Sequence, residues 1–200
     1  MQAVLENWFP TQLMLVDAAE ILSPARAIFA ATNFLDFQDE RYLNGYTTFY
    51  SNPTQHFMQH PEASIIVNAI TDAANALGQS QGVDLQIWRA TNIRLWMNRM
   101  HAGCSHGRHV HGDAQICGTL YVDAPEGAAA IRFHNPFANI ARFCLLPADG
   151  KNPASCEYVD HTPAPGKLLL WNGWLEHEVL PNQVQGNRDS ISFNVSFERI

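Results

Sequence analysis

The chain reads as a mainly β protein: a barrel or jelly-roll core in its second part, with helices from its first part packed on it. Two observations predict this. From residue 84 onward the sequence breaks into short aliphatic, aromatic and β-branched runs punctuated by Gly, Pro and Asn. Eight or so such runs follow one another without a helical stripe between them, and a closed or double-sheet arrangement is what removes their exposed edges. Before residue 84 the strongest pattern is instead an apolar stripe at helical spacing.

Length and composition bound the answer. Two hundred residues, 46% of them apolar, suit one domain with an ample core. We therefore take 1–200 as a single domain, with 1–83 as a helical part and 84–200 as the β-core. A net charge of −7 and a pI near 5.6 argue against nucleic acid as a partner, because phosphate binding needs a basic surface. No apolar run approaches the roughly 18 residues of a membrane span. The opening Met1-Gln2-Ala3-Val4-Leu5-Glu6 lacks a basic n-region, so a cytoplasmic location is expected. Cys104, Cys117, Cys144 and Cys156 show no C-x-x-C spacing and read as thiols in a reducing compartment. Cys104 and Cys117 flank a histidine cluster, and zinc ligation by them is the less favoured reading.

In chain order, an entry loop leads to a short strand at Leu13–Val16. Ser23-Pro24 supplies an N-cap and a proline at the first helical position, predicting a helix from Pro24 to about Asn33. Residues 36–53 are polar and aromatic and give no clear pattern. Pro61 opens a better helix, with Ile66, Ile70, Ala73 or Ala74, and Leu77 as its stripe and Gly78 as its stop. The expected strands are Leu85–Trp88, Ile93–Asn98, Arg108–Gly112, Ile116–Val122, Ala129–Phe133, Arg142–Leu146, Cys156–Val159, Lys167–Trp171 and Ser190–Phe197.

Four of the nine histidines lie between His101 and His111, and His109, His111 and Asp113 occupy alternate positions. On an extended strand, residues two apart share a face, so any adjacent pair of these could bind one metal ion. His111-Gly112-Asp113 is an H-x-D pair. With a distant histidine it makes the facial set of non-haem Fe(II), which leaves coordination positions open. His177, in Trp174-Leu175-Glu176-His177, stands at a strand-to-turn junction where that third ligand is expected. Arg188 and Ser190 open the last strand. A guanidinium fork pairs with a carboxylate through two parallel hydrogen bonds, and a hydroxyl two residues on shares its face, so the pair is a ready clamp for a dicarboxylate.

Five stretches now carry a resemblance: Trp96-Met97-Asn98, His109-Val110-His111, Cys117-Gly118-Thr119-Leu120-Tyr121, Gly166 to Asn182, and Arg188 to Asn194. With the opening Glu6-Asn7-Trp8-Phe9-Pro10-Thr11, they resemble in order and spacing the 2-oxoglutarate/Fe(II)-dependent oxygenases, in particular a small bacterial and phage group. The chain departs from that group at Cys117, where it usually has Ser, and at Trp171-Asn172-Gly173, where it usually has Phe-Pro-Ser. The resemblance implies a double-stranded β-helix (jelly roll), Fe(II) and 2-oxoglutarate as cofactors, and a dioxygenase that hydroxylates its substrate with release of succinate and CO2. It also implies Arg188 and Ser190 on the distal carboxylate of 2-oxoglutarate, with Tyr121 adding a hydrogen bond. For the metal, the group's own pair is H-x-H (His109 and His111), whereas the wider superfamily uses H-x-D. We favour His111, Asp113 and His177, with His109 beside them. The alternative is a non-catalytic jelly-roll or cupin-like metal-binding module. The substrate, a small molecule or a peptide, is not legible.

Overall fold

The last strand is the axis of the molecule. The computed structural model describes residues 3–4, 10–137 and 156–200. Their elements are β1 (Leu13–Asp17), α1 (Leu22–Ala31), β2 (Gly45–Thr47), α2 (Pro53–Met58), α3 (Ala63–Ser80), β3 (Trp88–Met100), β4 (His106–His109), β5 (Ile116–Asp123), β6 (Ile131–His134), β7 (Tyr158–His161), β8 (Lys167–Asn172), β9 (His177–Val179) and β10 (Arg188–Arg199), with short 3-10 turns between some of them. Among the described residues one sheet runs β1-β8-β5-β10-β3-β2 and the other β4-β9-β6-β7. Every pairing is antiparallel, and β10 lies between β5 and β3 at the centre of the larger sheet. This is the expected jelly roll.

Strand alternation sorts the apolar residues into two cores. On β8, Leu168 and Leu170 face the helices, while Leu169 and Trp171 face the space between the sheets. On the helix side they meet Ile28 and Phe29 of α1 and Ile66, Ile70, Ala74 and Leu77 of α3. The inner core joins Cys117 and Tyr121 to Phe133, Leu175 and Trp171. Each large side chain fully buried there contributes roughly 1.5–3 kcal/mol.

Several local expectations are corrected. The first helix starts at Leu22, after a 3-10 turn at Ala19–Ile21, so Ser23 is not its cap. Pro24 still lies in the first turn, where its missing N–H costs nothing. Gly78 does not stop α3, which continues to Ser80. A β-carbon at Gly78 would lie 2.6 Å from Cζ of Phe197, so this glycine is a close-approach position between helix and sheet. Residues 85–87 form a turn rather than a strand, with the N–H groups of Ile87 and Trp88 both donating to the Asp84 carbonyl. β1, expected at Leu13–Val16, and β2, which no pattern announced, supply the two edges of the larger sheet. The expected strand Arg142–Leu146, Cys144 and most of the Glu6–Thr11 motif lie outside the described residues.

Candidate metal centre

The pairing of β4 with β9 sets His109 directly opposite His177. His111 follows just past the end of β4, where its N–H donates to the carbonyl of Gly173 at 2.8 Å. One ligand nitrogen from each of His109, His111 and His177 can be chosen so that all lie within 4.8 Å of one another. The rings of His109 and His177 are 4.3 Å apart between centroids, and those of His111 and His177 lie 5.2 Å apart and nearly parallel.

Two of these rings are held in one tautomer. Nδ1 of His109 lies 2.7 Å from the Gly107 carbonyl, and Nδ1 of His177 lies 2.9 Å from the Leu175 carbonyl. A carbonyl only accepts, so each Nδ1 carries the proton and each Nε2 keeps its lone pair for a metal. Burial pushes the His177 imidazole down to about 3, and neighbouring His109 adds to the effect. Burial likewise lowers His111 to about 4 and lowers His109. Neutral imidazole is the form that binds a metal, so at neutral pH the three are ready donors. Three nitrogens, with no fourth protein ligand in the group among the described residues, fit a divalent transition metal with open positions.

Asp113, expected as the carboxylate ligand, is not in that group. β4 ends at His109 and the chain turns at Gly112-Asp113, so the alternation of a strand does not extend to 113. The aspartate is exposed on the turn and acts on His111 through its charge, opposing the downward shift that burial imposes. Neither Cys104 nor Cys117 joins the group. Both are buried, and burial raises both thiols, to about 11 for Cys104. His106 had no assigned role in the sequence reading, but its ring stands 4.1 Å from that of His109. A buried chain of hydrogen bonds was also missed: Thr47 Oγ1 donates to Asn98 Oδ1 at 2.8 Å, and Asn98 Nδ2 donates to Ser192 Oγ at 3.1 Å.

A cavity lined by the three histidines is lined also by Arg188, Ser190 and Trp171. Arg188 is only 3% exposed. Its Nε donates to the Ala129 carbonyl at 3.0 Å and its Nη2 to the Tyr121 hydroxyl at 3.4 Å. Both partners are neutral. The adjacent carboxylate, Asp189, is taken by Arg99 in a two-pronged pair at 2.9 and 2.6 Å. No described carboxylate forms an ion pair with Arg188. The Trp171 Nε1–H is buried with no hydrogen-bond partner among the described residues. Burying a cation without a counter-charge, and an N–H without an acceptor, is costly, and an anion that accepts hydrogen bonds would offset both.

The sequence comparison decides the family. A family model described as "Putative 2OG-Fe(II) oxygenase" matches residues 94–194, half of the chain and all of the site just described. The chain belongs to this 2OG-Fe(II) oxygenase family. It is an Fe(II)- and 2-oxoglutarate-dependent oxygenase. Solved structures share its fold. An oxidoreductase of the 2OG-Fe(II) oxygenase family from Burkholderia pseudomallei is 16% identical, with 92% of this chain and 84% of that one covered and a TM-score of 0.59. A Pseudomonas putida prolyl-4-hydroxylase is 15% identical, with 92% of each chain covered and a TM-score of 0.60. HygX from Streptomyces hygroscopicus, solved with nickel and 2-oxoglutarate, is 12% identical, with 92% and 83% covered and a TM-score of 0.55. No curated protein sequence gives a significant match. No described helix of the oxygenase is long and apolar enough to cross a membrane.

Two expected results follow from this geometry. Gly173 packs so closely on the loop carrying His111 that a β-carbon there would lie 2.2 Å from the Ala114 carbonyl oxygen and 2.6 Å from that of His111. Both are backbone atoms and cannot swing aside. Gly173→Ala therefore destabilises the metal-free oxygenase by about 1–3 kcal/mol, and it weakens metal binding because His111 moves. Thermal melts with and without Fe(II) measure both effects, and a variant that melts like the parent in both states contradicts the packing.

The second concerns pH. His177, His111 and His106 have folded values near 3, 4 and 4, all lowered chiefly by burial, against 6.5 for an ordinary imidazole. Between those values the unfolded chain binds protons that the folded chain refuses. Stability of the metal-free protein is therefore fully present above pH 6.5 and is lost as pH falls from there toward 4. Urea midpoints measured at pH 7.5 and pH 5 should differ, the acid one being lower. Replacing His106 by Phe should reduce that difference.

Proposed function

We propose that His109, His111 and His177 hold the Fe(II) of this oxygenase and that Arg188 anchors the distal carboxylate of 2-oxoglutarate, with Ser190 and Tyr121 as its neighbours. The observation that carries this reading is the buried Arg188, without an acidic partner among the described residues, lining the same cavity as the three histidines. The chemistry supplied by the iron with 2-oxoglutarate is oxidation of a substrate C–H bond, coupled to loss of CO2 and formation of succinate. The rest is the work of the chain. The two backbone carbonyls fix the tautomers of His109 and His177 before any metal arrives. Arg188 orients the co-substrate by a two-point grip and is itself aimed by Tyr121 and the Ala129 carbonyl. Trp171, Phe133 and Leu169 make the interior apolar and exclude water, which strengthens each of these polar contacts. The substrate is a small molecule or a peptide side chain, and buried reduced thiols at Cys104 and Cys117 are consistent with a cytoplasmic enzyme.

The test is release of labelled CO2 from 2-oxoglutarate labelled at C1, with Fe(II) and air, in the absence of added substrate. Slow, iron-dependent release that yields an equal amount of succinate is expected. A protein that instead binds zinc tightly through four of its own side chains and releases no CO2 is a metal-binding module.

A further inference from the structure

The inner face of β10 and β3 forms a ladder whose far end the reading above leaves unused. Cross-strand partners run Arg188 with Met100, Ser190 with Asn98, Ser192 with Trp96, and Asn194 with Arg94. Six residues of strand, about 20 Å, separate Arg188 from Asn194, so the two ends serve different ligands. Arg94 and Asn194 line a second cavity of about 250 Å³, together with Tyr50, Trp96 and Asp113. His109 and His111 line it too, so the space opens directly onto the metal ligands.

Two of its polar side chains have hydrogen-bonding capacity to spare. Asn194 is 8% exposed, and its Oδ1 is buried with no hydrogen-bond partner among the described residues. An amide oxygen in that state calls for a donor. Arg94 donates once, from Nη2 to the Phe49 carbonyl at 3.3 Å, and stacks over the Phe49 ring at 4.3 Å. It forms no ion pair with a described carboxylate, which leaves most of its N–H groups for an anion. Directly opposed residues of a sheet have β-carbons about 5 Å apart. A donor cluster and an acceptor from these two opposed residues therefore border the same cavity. Asp113, exposed on the turn beside them, supplies negative charge, and Trp96, packed edge-on to Phe49 at 5.1 Å, supplies an apolar wall.

We propose that this cavity takes the primary substrate and that the substrate is a free amino acid or a close zwitterionic relative. Its carboxylate lies on Arg94, its ammonium group donates to Asn194 Oδ1 with Asp113 as counter-charge, and its side chain runs along Trp96 toward the histidines. The proposal rests on the metal and co-substrate reading above. A residue inside a peptide carries neither charge, so Arg94 and the Asn194–Asp113 pair select against it.

The test is calorimetric titration of the standard L-amino acids, under argon, into the protein loaded with Fe(II) and 2-oxoglutarate. At least one should bind saturably. Its methyl ester, which lacks the carboxylate, and its N-acetyl form, which lacks the ammonium, should each bind roughly tenfold or more weakly, as expected for losing a charge-assisted pair. Arg94→Gln should weaken the parent amino acid by a similar factor and leave the ester's affinity unchanged. Asn194→Leu should do the same for the parent and the N-acetyl form. The ligand series needs no variant to fold, so it decides alone if either variant does not. Equal or tighter binding of the doubly capped amino acid would overturn the proposal in favour of a peptide substrate. Absence of binding by every amino acid, with 2-oxoglutarate still bound, would overturn it too. Failure of 2-oxoglutarate itself to bind refutes instead the reading on which the proposal rests.

Discussion

Alanine at His177 leaves a folded oxygenase that no longer retains iron. The strand β9 is held by backbone pairing to both β4 and β6, so the ladder survives loss of the ring. The metal group loses one of its three nitrogens. Loss of a residue that merely supports a ligand costs 10–100-fold in metal affinity, and loss of a ligand should exceed about 100-fold. His109→Ala and His111→Ala should behave like His177→Ala, and Asp113→Ala should keep its iron. Elemental analysis after dialysis against a weak chelator reads all four variants. Iron retained by His109→Ala and lost by Asp113→Ala would restore the H-x-D set.

Alanine at Arg188 has the second large effect, and it falls on the co-substrate alone. Truncating one member of a buried charge pair costs about 2–5 kcal/mol, so affinity for 2-oxoglutarate should drop by roughly 30-fold or more. Arg188→Lys should recover part of the loss, because an ammonium offers charge without the fork. Iron content should stay unchanged in both, since Arg188 lies on β10, and the histidines lie on β4, just after it and on β9. The concentration of 2-oxoglutarate giving half-maximal succinate formation measures the effect. An unchanged value in Arg188→Ala contradicts the anchor.

Much of this site was legible because strand chemistry is periodic. Arg188, Ser190 and the serine and asparagine that follow alternate along β10, and Arg188 and Ser190 line one cavity with the histidines. His177 was singled out from its place at a strand-to-turn junction, and the fold sets it opposite His109. Asp113 stands apart from the three histidines for a local reason. β4 ends at His109, the Gly173 carbonyl captures the His111 N–H, and the chain turns at Gly112-Asp113, two turn-forming residues that an H-x-D reading treats as strand. Gly78 misled for the opposite reason: a glycine near a helix end suggests a stop, whereas here the Phe197 ring on a distant strand requires it. Thr47, Asn98 and Ser192 come from three strands, and only the fold brings their hydroxyl and amide groups into one chain of hydrogen bonds. Arg94 and Asn194 were silent in sequence because their meaning lies in being opposed across two strands a hundred residues apart.

The central claim is that one cavity holds iron and 2-oxoglutarate together, between the three histidines and Arg188. Anaerobic titration of 2-oxoglutarate into the Fe(II) protein tests it most directly, because the metal-to-ligand charge-transfer band appears only when the keto acid chelates the iron. The account predicts a band that saturates at one equivalent per chain, and that forms in Arg188→Ala only at much higher concentration. A protein that carries one iron per chain and gives no such band at saturating 2-oxoglutarate contradicts it.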